Sequence, residues 1–362
     1  MAISIGIAAG IGFGRSMAGS SLAKSLVASY RCYDKTNDDE DRDVLKDLTG
    51  NGRDIQLYNF AFSGESGYGK YNVYPLNRNY VRGWFLYGFQ RVNPSTYSLY
   101  IGERNHTNQN VIVFYEYGSG SLPAGTYKFT GFRFKISNPN KHNLIAYFYG
   151  NDDLYYEDVS ADGIYGFPSI TIDSDGNTSG GFGLNCSTLQ SDDLGLTFEV
   201  LPDYQGALVS DGIDDYGLCE NFPILTKDKG YTVVAMRHIL YEQDNNLQVT
   251  FSSNFCGFER RASDNTYRTI SYGVQTYVPE YPYLFSYQNS SVFNGMEINV
   301  GESNTDDKMK IFAWTTVYSS IALYALEIYD RDLTDEEIAI VKARMIAEYE
   351  SKTGNKYEEE TI

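Results

Sequence analysis

Residues 321–349 read IALYALEIYDRDLTDEEIAIVKARMIAEY, and this stretch decides the fold. Its first part, Ile321 to Tyr329, is an apolar and aromatic run of strand length that charged residues follow directly. A short apolar run with polar boundaries is typical of a strand that is buried on both faces. The sequence therefore predicts that residues 321–329 form a central strand.

A helix is predicted directly after this strand. Thr334 is followed three residues later by Glu337, which is the spacing of a capping box, where each side chain accepts a hydrogen bond from the other residue's backbone N–H. Four apolar residues then recur at helical spacing: Ile338, Val341, Met345 and Ile346. Because such a stripe has to pack on another element, we expect the helix to press against the sheet that carries Leu326 and Ile328.

The composition is that of a β-protein large enough for one sandwich with an insertion, or for two domains. Aromatic residues make up 15% of the 362-residue chain, with 33 Tyr and 2 Trp, and only one segment has a convincing helical pattern. The four cysteines form no C-x-x-C pair, so we interpret them as small buried hydrophobes.

The charge balance argues against two classes of partner. The chain has 47 acidic and 29 basic residues, and its formal net charge of −18 repels both a phosphate backbone and an anionic membrane surface. We therefore expect no nucleic-acid partner and no membrane partner. No apolar run reaches the roughly 20 residues that span a bilayer, and no signal peptide is evident, so synthesis in the cytoplasm is predicted.

Four strings resemble one protein family. LYALEIYDRDLTDEEI (323–338) is similar to the closing strand and short helix of laminin-G-like, concanavalin A-like jelly rolls. LVASY (26–30) and DLTGNGRDIQL (47–57) resemble the opening of the same domain, and ALVSDGIDDYG (207–217) resembles its next strand and turn. The resemblance implies an all-β jelly-roll sandwich with a short C-terminal helix.

The family pattern is interrupted, which predicts a split domain. We expect residues 23–58 and 204–350 to form the jelly roll, and residues 59–203 to form an inserted second β-sandwich. The inserted segment has short strand signals separated by turn residues, and LPAGTY (122–127) resembles the opening of a central strand in carbohydrate-binding modules. Residues 351–362 are predicted to be an acidic C-terminal tail.

Residues 1–22 differ in composition from the rest of the chain. They contain no acidic residue and are rich in Gly, Ala and Ile. As a strand, the segment would place three isoleucines on one face; as a helix, it would have a face of small residues that allows close approach. We interpret it as an assembly anchor, and the alternative is a disordered leader. The predicted assembly residues are Ile3, Ile5, Ile7, Gly6, Gly10 and Gly14.

No pattern of catalytic or metal-binding residues stands out. The chain has 3 histidines and no H-x-x-x-H, H-E-x-x-H or G-x-S-x-G motif, so we predict no catalytic residue, no metal ligand and no cofactor. The acidic run 38–43 is interpreted as a solvated loop and residues 173–177 as a hairpin turn; Ca²⁺ stays an alternative that no motif of the sequence supports. Paired carboxylates leave glycan hydrolysis open, since a glycosidase needs only two of them.

The aromatic residues are better candidates for a binding site. Several strands of the predicted insertion carry aromatics at consecutive positions, more than one core can absorb, so some should be exposed. An exposed Tyr suits a sugar ring or a protein interface, because it combines an apolar face with a polar tip. The alternative is an ordinary core with solvent-facing Tyr. The predicted ligand-binding residues are Trp84, Tyr87, Tyr147, Tyr149, Tyr155 and Tyr156.

The whole arrangement resembles virion structural proteins of bacteriophages and prophages of gut Bacteroidales, including crAss-like phages. That resemblance implies a non-enzymatic fibre, appendage or capsid decoration protein that docks by residues 1–22 and displays its jelly rolls for glycan or host-surface binding. The implied partners are other virion proteins, host surface glycan, and further copies of the chain in a homo-oligomer that could be a trimer. Localisation would be the virion, after synthesis in the host cytoplasm. The alternatives are a bacterial cell-surface lectin or adhesin and a glycan depolymerase.

Overall fold

The computed structural model describes residues 21–71, 80–81, 87–91, 96–101, 111–116, 124–129, 131–137, 145–149, 155–158, 161–174, 176, 181–185, 196–240, 247–253, 256–261, 266–278, 284–314 and 317–357. Within these ranges the chain forms β-strands, turns and two helices. Neither of these helices is long and apolar enough to cross a membrane.

The elements before residue 71 are α1 (Ser21–Ser25), β1 (Leu26–Arg31), β2 (Val44–Leu45), β3 (Ile55–Tyr58) and β4 (Gly67–Lys70). The strands from residue 80 to residue 201 are β5 (Tyr80–Val81), β6 (Tyr87–Arg91), β7 (Thr96–Ile101), β8 (Val111–Glu116), β9 (Gly125–Phe129), β10 (Phe132–Ser137), β11 (Ile145–Tyr149), β12 (Tyr155–Asp158), β13 (Gly163–Phe167), β14 (Ile170–Ser174), β15 (Gly181–Asn185) and β16 (Thr197–Leu201). The remaining elements are β17 (Asp203–Val209), β18 (Tyr216–Cys219), β19 (Thr232–Ile239), β20 (Leu247–Ser253), β21 (Cys256–Arg261), β22 (Thr266–Ser271), β23 (Val274–Val278), β24 (Phe285–Asn289), β25 (Val292–Phe293), β26 (Met296–Glu297), β27 (Met309–Ile311), β28 (Ala313–Trp314), β29 (Val317–Tyr318), β30 (Ile321–Tyr329) and α2 (Asp335–Thr353).

Strand β30 lies in the middle of a sheet that we call sheet 1. Strand β19 pairs with it along one side, while β1 and β17 share the other side. The described strands follow the order β26-β25-β24-β19-β30-β17-β4, with β1 also paired to β30. Every residue of β30 is buried, which confirms the predicted central strand.

A second sheet, which we call sheet 2, covers one face of sheet 1. Its described strands follow the order β2-β3-β18-β27-β20-β21-β22-β23. The core between the two sheets includes Tyr30, Leu57, Phe251, Ile311, Leu326 and Ile328. Two antiparallel sheets packed face to face around one core make a β-sandwich. The all-β class and the jelly-roll sandwich predicted from the sequence are therefore confirmed.

Helix α2 covers the opposite face of sheet 1. It begins with the predicted capping box, in which the Glu337 N–H donates to Thr334 Oγ1 at 3.3 Å and the Thr334 N–H donates to Glu337 Oε2 at 3.1 Å. The buried stripe of the helix consists of Ile338, Val341, Met345 and Tyr349. The predicted C-terminal helix is confirmed, and β30 is buried between it and sheet 2.

The helix packs on the sheet that carries Leu326 and Ile328, as predicted, but it covers the face opposite these two side chains. Those two side chains belong to the core with sheet 2, whereas the stripe of α2 packs with Tyr324 and Ala325 on the other face of sheet 1. The physical reason is a bulge, because the register between β19 and β30 shifts next to Tyr324. A bulge adds one residue to one strand and so changes which residues share a face.

Two further details of the C-terminal region differ from the prediction. Ile346, which was assigned to the stripe, is only half-buried, and Tyr349 is buried instead. The predicted tail from residue 351 is also wrong at its start, because α2 continues to Thr353. The ring of Tyr357 then packs beside the cluster under the helix, so the chain beyond the helix returns to the sandwich.

A buried ion cluster joins α2 to sheet 1. Glu327 of β30 is 1% exposed, and one of its oxygens accepts a hydrogen bond from Arg31 Nη2 at 2.6 Å. Its other oxygen accepts from Arg344 of α2 and from the Tyr329 hydroxyl. Burial raises the pKa of Glu327, but Arg31 and Arg344 lower it, so that the pKa lies below its ordinary value. The carboxylate therefore remains charged inside the protein.

The strands between residues 80 and 201 form further sheets. The largest described one, sheet 3, has the order β13-β10-β16-β7-β6-β5, and sheet 4 has the order β12-β11-β15-β8. Strands β9 and β14 pair in a two-stranded sheet. In sheet 3 the ring of Phe134 lies 4.9 Å from that of Phe198 and 5.3 Å from that of Phe167. These sheets occupy the predicted insertion, whose independence as a domain stays a prediction.

Strand β4 follows the predicted end of the first jelly-roll segment at residue 58, yet it belongs to sheet 1. It pairs antiparallel with β17, where Tyr68 lies opposite Leu208. Gly69 allows a close approach, because a Cβ at that position would lie 2.5 Å from Pro202 Cβ. Sheet 1 therefore includes residues 67–70, and the other predicted boundaries stay predictions.

Ile338→Asp should destabilise the protein by roughly 3 kcal/mol or more, because the side chain is 6% exposed and a carboxylate there would be buried without a partner. Thr334→Ala should cost about 1 kcal/mol through the loss of the N-cap. Thermal and urea unfolding measure both effects. The matched control is Ile340→Asp, since Ile340 is 54% exposed on the same helix; equal losses at 338 and 340 would contradict the packing of α2 on sheet 1.

Candidate functional site

The outer face of sheet 2 carries a stack of tyrosine rings. Tyr58 of β3 and Tyr216 of β18 are register partners, and their ring centroids lie 4.9 Å apart with an interplanar angle of 14°. The ring of Tyr318 in β29 lies next to this pair, with its centroid 6.1 Å from that of Tyr216 and its plane tilted by 43°. We call Tyr58, Tyr216 and Tyr318 the tyrosine platform.

The alternation of side chains along the strands places these rings outside the core. In β3, Ile55 and Leu57 are buried, so Tyr58 emerges on the opposite face, where it is 38% exposed. In β18, Cys219 is buried, and Tyr216 lies on the other face and is half-buried. The platform therefore belongs to a rigid sheet whose inner face forms part of the sandwich core.

The platform combines apolar and polar chemistry. Lys310 Nζ lies 5.8 Å from the centroid of the Tyr216 ring, within the range of a cation–π contact. Desolvation raises the pKa of Tyr216, and the neighbouring Tyr58 and Tyr318 raise it further, so the phenol stays neutral. Ring carbons and hydroxyl groups beside one cation can bind a ligand that has both apolar C–H groups and hydrogen-bonding hydroxyls.

The turn before β18 places three carboxylates near the platform. Asp211, Asp214 and Asp215 each offer an oxygen, and these oxygens lie within 4.8 Å of one another. Asn59 Nδ2 donates to the Asp214 carbonyl at 2.9 Å, which ties the turn to the end of β3. The Asp211 N–H donates to Asp215 Oδ2 at 2.9 Å, so Asp215 organises the turn, a common use of aspartate.

Asp215 has the raised pKa of a catalytic acid, but its side chain is not accessible to a substrate. Burial raises its pKa to about 7, and the charges of Asp211 and Asp214 add to the effect. A raised pKa suits the general acid of a glycosidase, but Asp215 is 0% exposed and so cannot contact a bound sugar. Clusters of acidic side chains are common without a bound ion, so we assign no metal to Asp211, Asp214 and Asp215. The absence of a cofactor stays a prediction.

The acidic run 38–43 was interpreted as a solvated loop. Within it, Asp41 is exposed and pairs with Lys35 at 2.5 Å, and Asp39 accepts hydrogen bonds from Thr36. These contacts hold the loop together on the protein surface, as a solvated loop requires.

Three of the cysteines, Cys32, Cys219 and Cys256, are buried free thiols, as their interpretation as small hydrophobes requires.

The ligand-binding residues predicted from the sequence fall in several places. Tyr87 lies in β6 of sheet 3, whereas Tyr147 and Tyr149 lie in β11 of sheet 4. In the neighbouring strand β12, Tyr156 lies directly opposite Tyr147 and Tyr155 directly opposite Phe148. The structure thus brings four of the tyrosines onto adjacent strands, and their role in binding stays a prediction. The predicted residues outside the described ranges are Trp84, Ile3, Ile5, Ile7, Gly6, Gly10 and Gly14.

The tyrosine platform was not predicted from the sequence. Tyr58 ends the alternating string IQLY and Tyr216 follows the Asp214-Asp215 pair, so each position was visible as an outward residue of a short strand. Their contact depends on the order of strands in sheet 2, which places β3 next to β18. That order cannot be obtained from local patterns.

Comparisons with known proteins add little to this geometry. No protein-family model matches the chain, and no curated protein matches it. Among solved structures, a sialidase of Trypanosoma rangeli in complex with sialic acid is similar over 82% of this chain and 67% of its own, with 9% sequence identity and a TM-score of 0.27. A likeness at this level carries no argument about fold or function.

Asp215→Asn should raise the melting temperature at pH 8 and change it less at pH 5. The folded-state pKa of Asp215, about 7, lies above the ordinary value of 3.8, so the proton stabilises the fold at low pH and this contribution is lost as the pH rises through 7. Asparagine keeps an acceptor oxygen for the Asp211 N–H and carries no charge. Asp214→Asn, at an exposed position, is the control and should show no comparable gain; a pH-independent difference at 215 would contradict the raised pKa.

Proposed function

We propose that this chain is a non-enzymatic structural protein of a virion that displays its jelly-roll sandwich for glycan binding by the tyrosine platform. The observation that supports glycan binding is the stacked pair of Tyr58 and Tyr216 on the outer face of sheet 2, with the tilted ring of Tyr318 beside it. The resemblance of the chain to virion proteins of Bacteroidales phages supports the structural role. The negative charge argues against nucleic acid as the ligand of these rings.

The geometry of the platform suits a long, neutral ligand. Tyr58 and Tyr216 come from paired strands of sheet 2, and Tyr318 comes from β29, which pairs with β28 in a separate two-stranded sheet. Backbone pairing fixes the spacing of the first two rings, so little side-chain entropy is lost when they bind a ligand. A polysaccharide can contact several rings in succession through its C–H groups while its hydroxyls bond to the phenol oxygens. An open surface of this kind binds along a chain and does not enclose a chain end.

The binding test uses the full chain and capsular polysaccharides purified from a panel of gut Bacteroidales strains. An aromatic contact contributes about 0.5–1.5 kcal/mol, so Tyr216→Ala should weaken binding to a polysaccharide that the wild type binds by several-fold to about tenfold. Tyr216→Phe keeps the ring and should lose less. Tyr277→Ala is the matched control, because Tyr277 is 65% exposed in β23 at the far edge of sheet 2.

Two outcomes would contradict the proposal. Binding that is equally strong in the Tyr216→Ala and Tyr277→Ala variants would place the glycan away from the platform. Release of reducing ends from the polysaccharide during incubation would favour the alternative of a glycan depolymerase. The virion role has its own test: mass spectrometry should find the chain in purified virions, and its presence only in the surface fraction of phage-free bacterial cells would favour the lectin alternative.

A further inference from the structure

A groove lies where the loop after β1 meets β16 and β17. Its volume is about 300 Å³, at the lower end of the range for small-molecule sites. Tyr33, Tyr68 and Tyr71 supply aromatic surface to its lining, and Asp38, Glu199 and Gln205 supply polar side chains. None of these residues belongs to the tyrosine platform. We call this cavity the groove.

The walls of the groove are held in place by contacts within the protein. Asn37 Oδ1 accepts a hydrogen bond from the Tyr68 N–H at 2.7 Å, and the Tyr68 hydroxyl donates to the Arg42 carbonyl at 3.1 Å. Gly206, also in the lining, has a positive φ of 84°, and a Cβ there would lie 3.3 Å from Tyr33 Cδ1. A site with fixed walls loses little entropy when it binds a ligand.

The charges of the groove disfavour anionic ligands. Lys35 lines it, but its ammonium group is paired with Asp41 at 2.5 Å. The carboxylates of Asp38 and Glu199, by contrast, have no hydrogen-bond or ion-pair partner within the described part of the chain. A cation beyond the lining, the exposed Lys135, lies opposite Glu199 in the register of β10 and β16. Among the described lining residues, no unpaired cation offsets the two negative charges, which disfavours a phosphate, sulfate or uronate.

The polar groups also disfavour a purely apolar ligand. Such a ligand would cover the half-buried Glu199 and part of the surface of Asp38 and Gln205, and it would offer these groups no hydrogen bond, which is costly. The ligand therefore needs hydroxyl donors for the two carboxylates, a group that bonds to the Gln205 amide, and C–H surface for the tyrosine rings. A neutral pyranose has all three.

From these properties we propose that the groove binds a single neutral sugar unit, as a second site besides the platform. The choice of ligand rests on the proposed glycan-binding function and deepens it, because a groove of this volume holds one unit where the platform contacts a chain. Asp38 and Glu199 accept hydrogen bonds from sugar hydroxyls, and Gln205 can donate and accept. The tyrosines contact the C–H face of the ring.

Ligand-observed NMR titration of the full chain tests this inference, with glucose, galactose, mannose and N-acetylglucosamine as probes. A ligand of this size should bind with a dissociation constant on the order of 1 mM. Glucuronic acid is the matched probe, since it differs from glucose by one carboxylate. At least one neutral sugar should show saturable binding, and glucuronic acid should not.

Variants then locate the site. Gln205→Ala and Glu199→Ala should each weaken binding of the neutral sugar about fivefold, the value of one hydrogen bond. The double variant Asp38→Asn, Glu199→Gln removes both charges and should allow glucuronic acid to bind. Tyr216→Ala should leave the titration with small sugars unchanged, which separates this inference from the platform.

Three results would overturn the inference: no saturable binding of any of the four neutral sugars, binding that Gln205→Ala and Glu199→Ala leave unchanged, or binding that Tyr216→Ala abolishes. The last result would place the small sugar on the platform and leave the proposed function intact. Circular dichroism and melting curves should show that the groove variants remain folded, because Asp38 and Gln205 are exposed and Glu199 is half-buried.

Discussion

A carboxylate in the middle of a buried strand is the constraint on which the rest of the structure depends. Glu327 is 1% exposed in β30, and its charge needs partners, which are Arg31 of β1 and Arg344 of α2. Removing one partner of a buried ion pair typically costs about 3–5 kcal/mol. Strand β1, strand β30 and the C-terminal helix must therefore assemble together, which joins two distant parts of the chain in one layered unit.

Both candidate binding surfaces depend on this unit. The tyrosine platform lies on the outside of sheet 2, whose inner face packs on the core side of β30. The groove lies at the edge of sheet 1 that ends in β4, where β17 pairs with β30 on one side and with β4 on the other. The end of α2 also reaches this edge, because a Cβ at Gly206 would lie 3.3 Å from Thr353 Cγ2. Strands thus position the stacked rings of the platform, whereas the groove is lined by β16, β17 and the loop after β1.

Local patterns predicted the elements that depend on local physics. The strand 321–329, the capping box at Thr334 and the C-terminal helix need only the sequence around them. The sequence did not predict which face of β30 the helix covers, because the bulge at Tyr324 depends on pairing with β19. The prediction also included Glu327 in an apolar run, although its side chain is charged. The platform and the groove could not be predicted, since each joins residues that the sheet order brings together from distant positions.

Native-state hydrogen exchange of the full chain tests the central claim, that β30 with its paired Glu327 is the most stable element of the protein. The amide protons of residues 322–328 should be among the slowest in the chain and should exchange only by global unfolding, with the same free energy as urea denaturation gives. Exchange of these amides through a local opening, faster than that of β3 in sheet 2, would contradict the account.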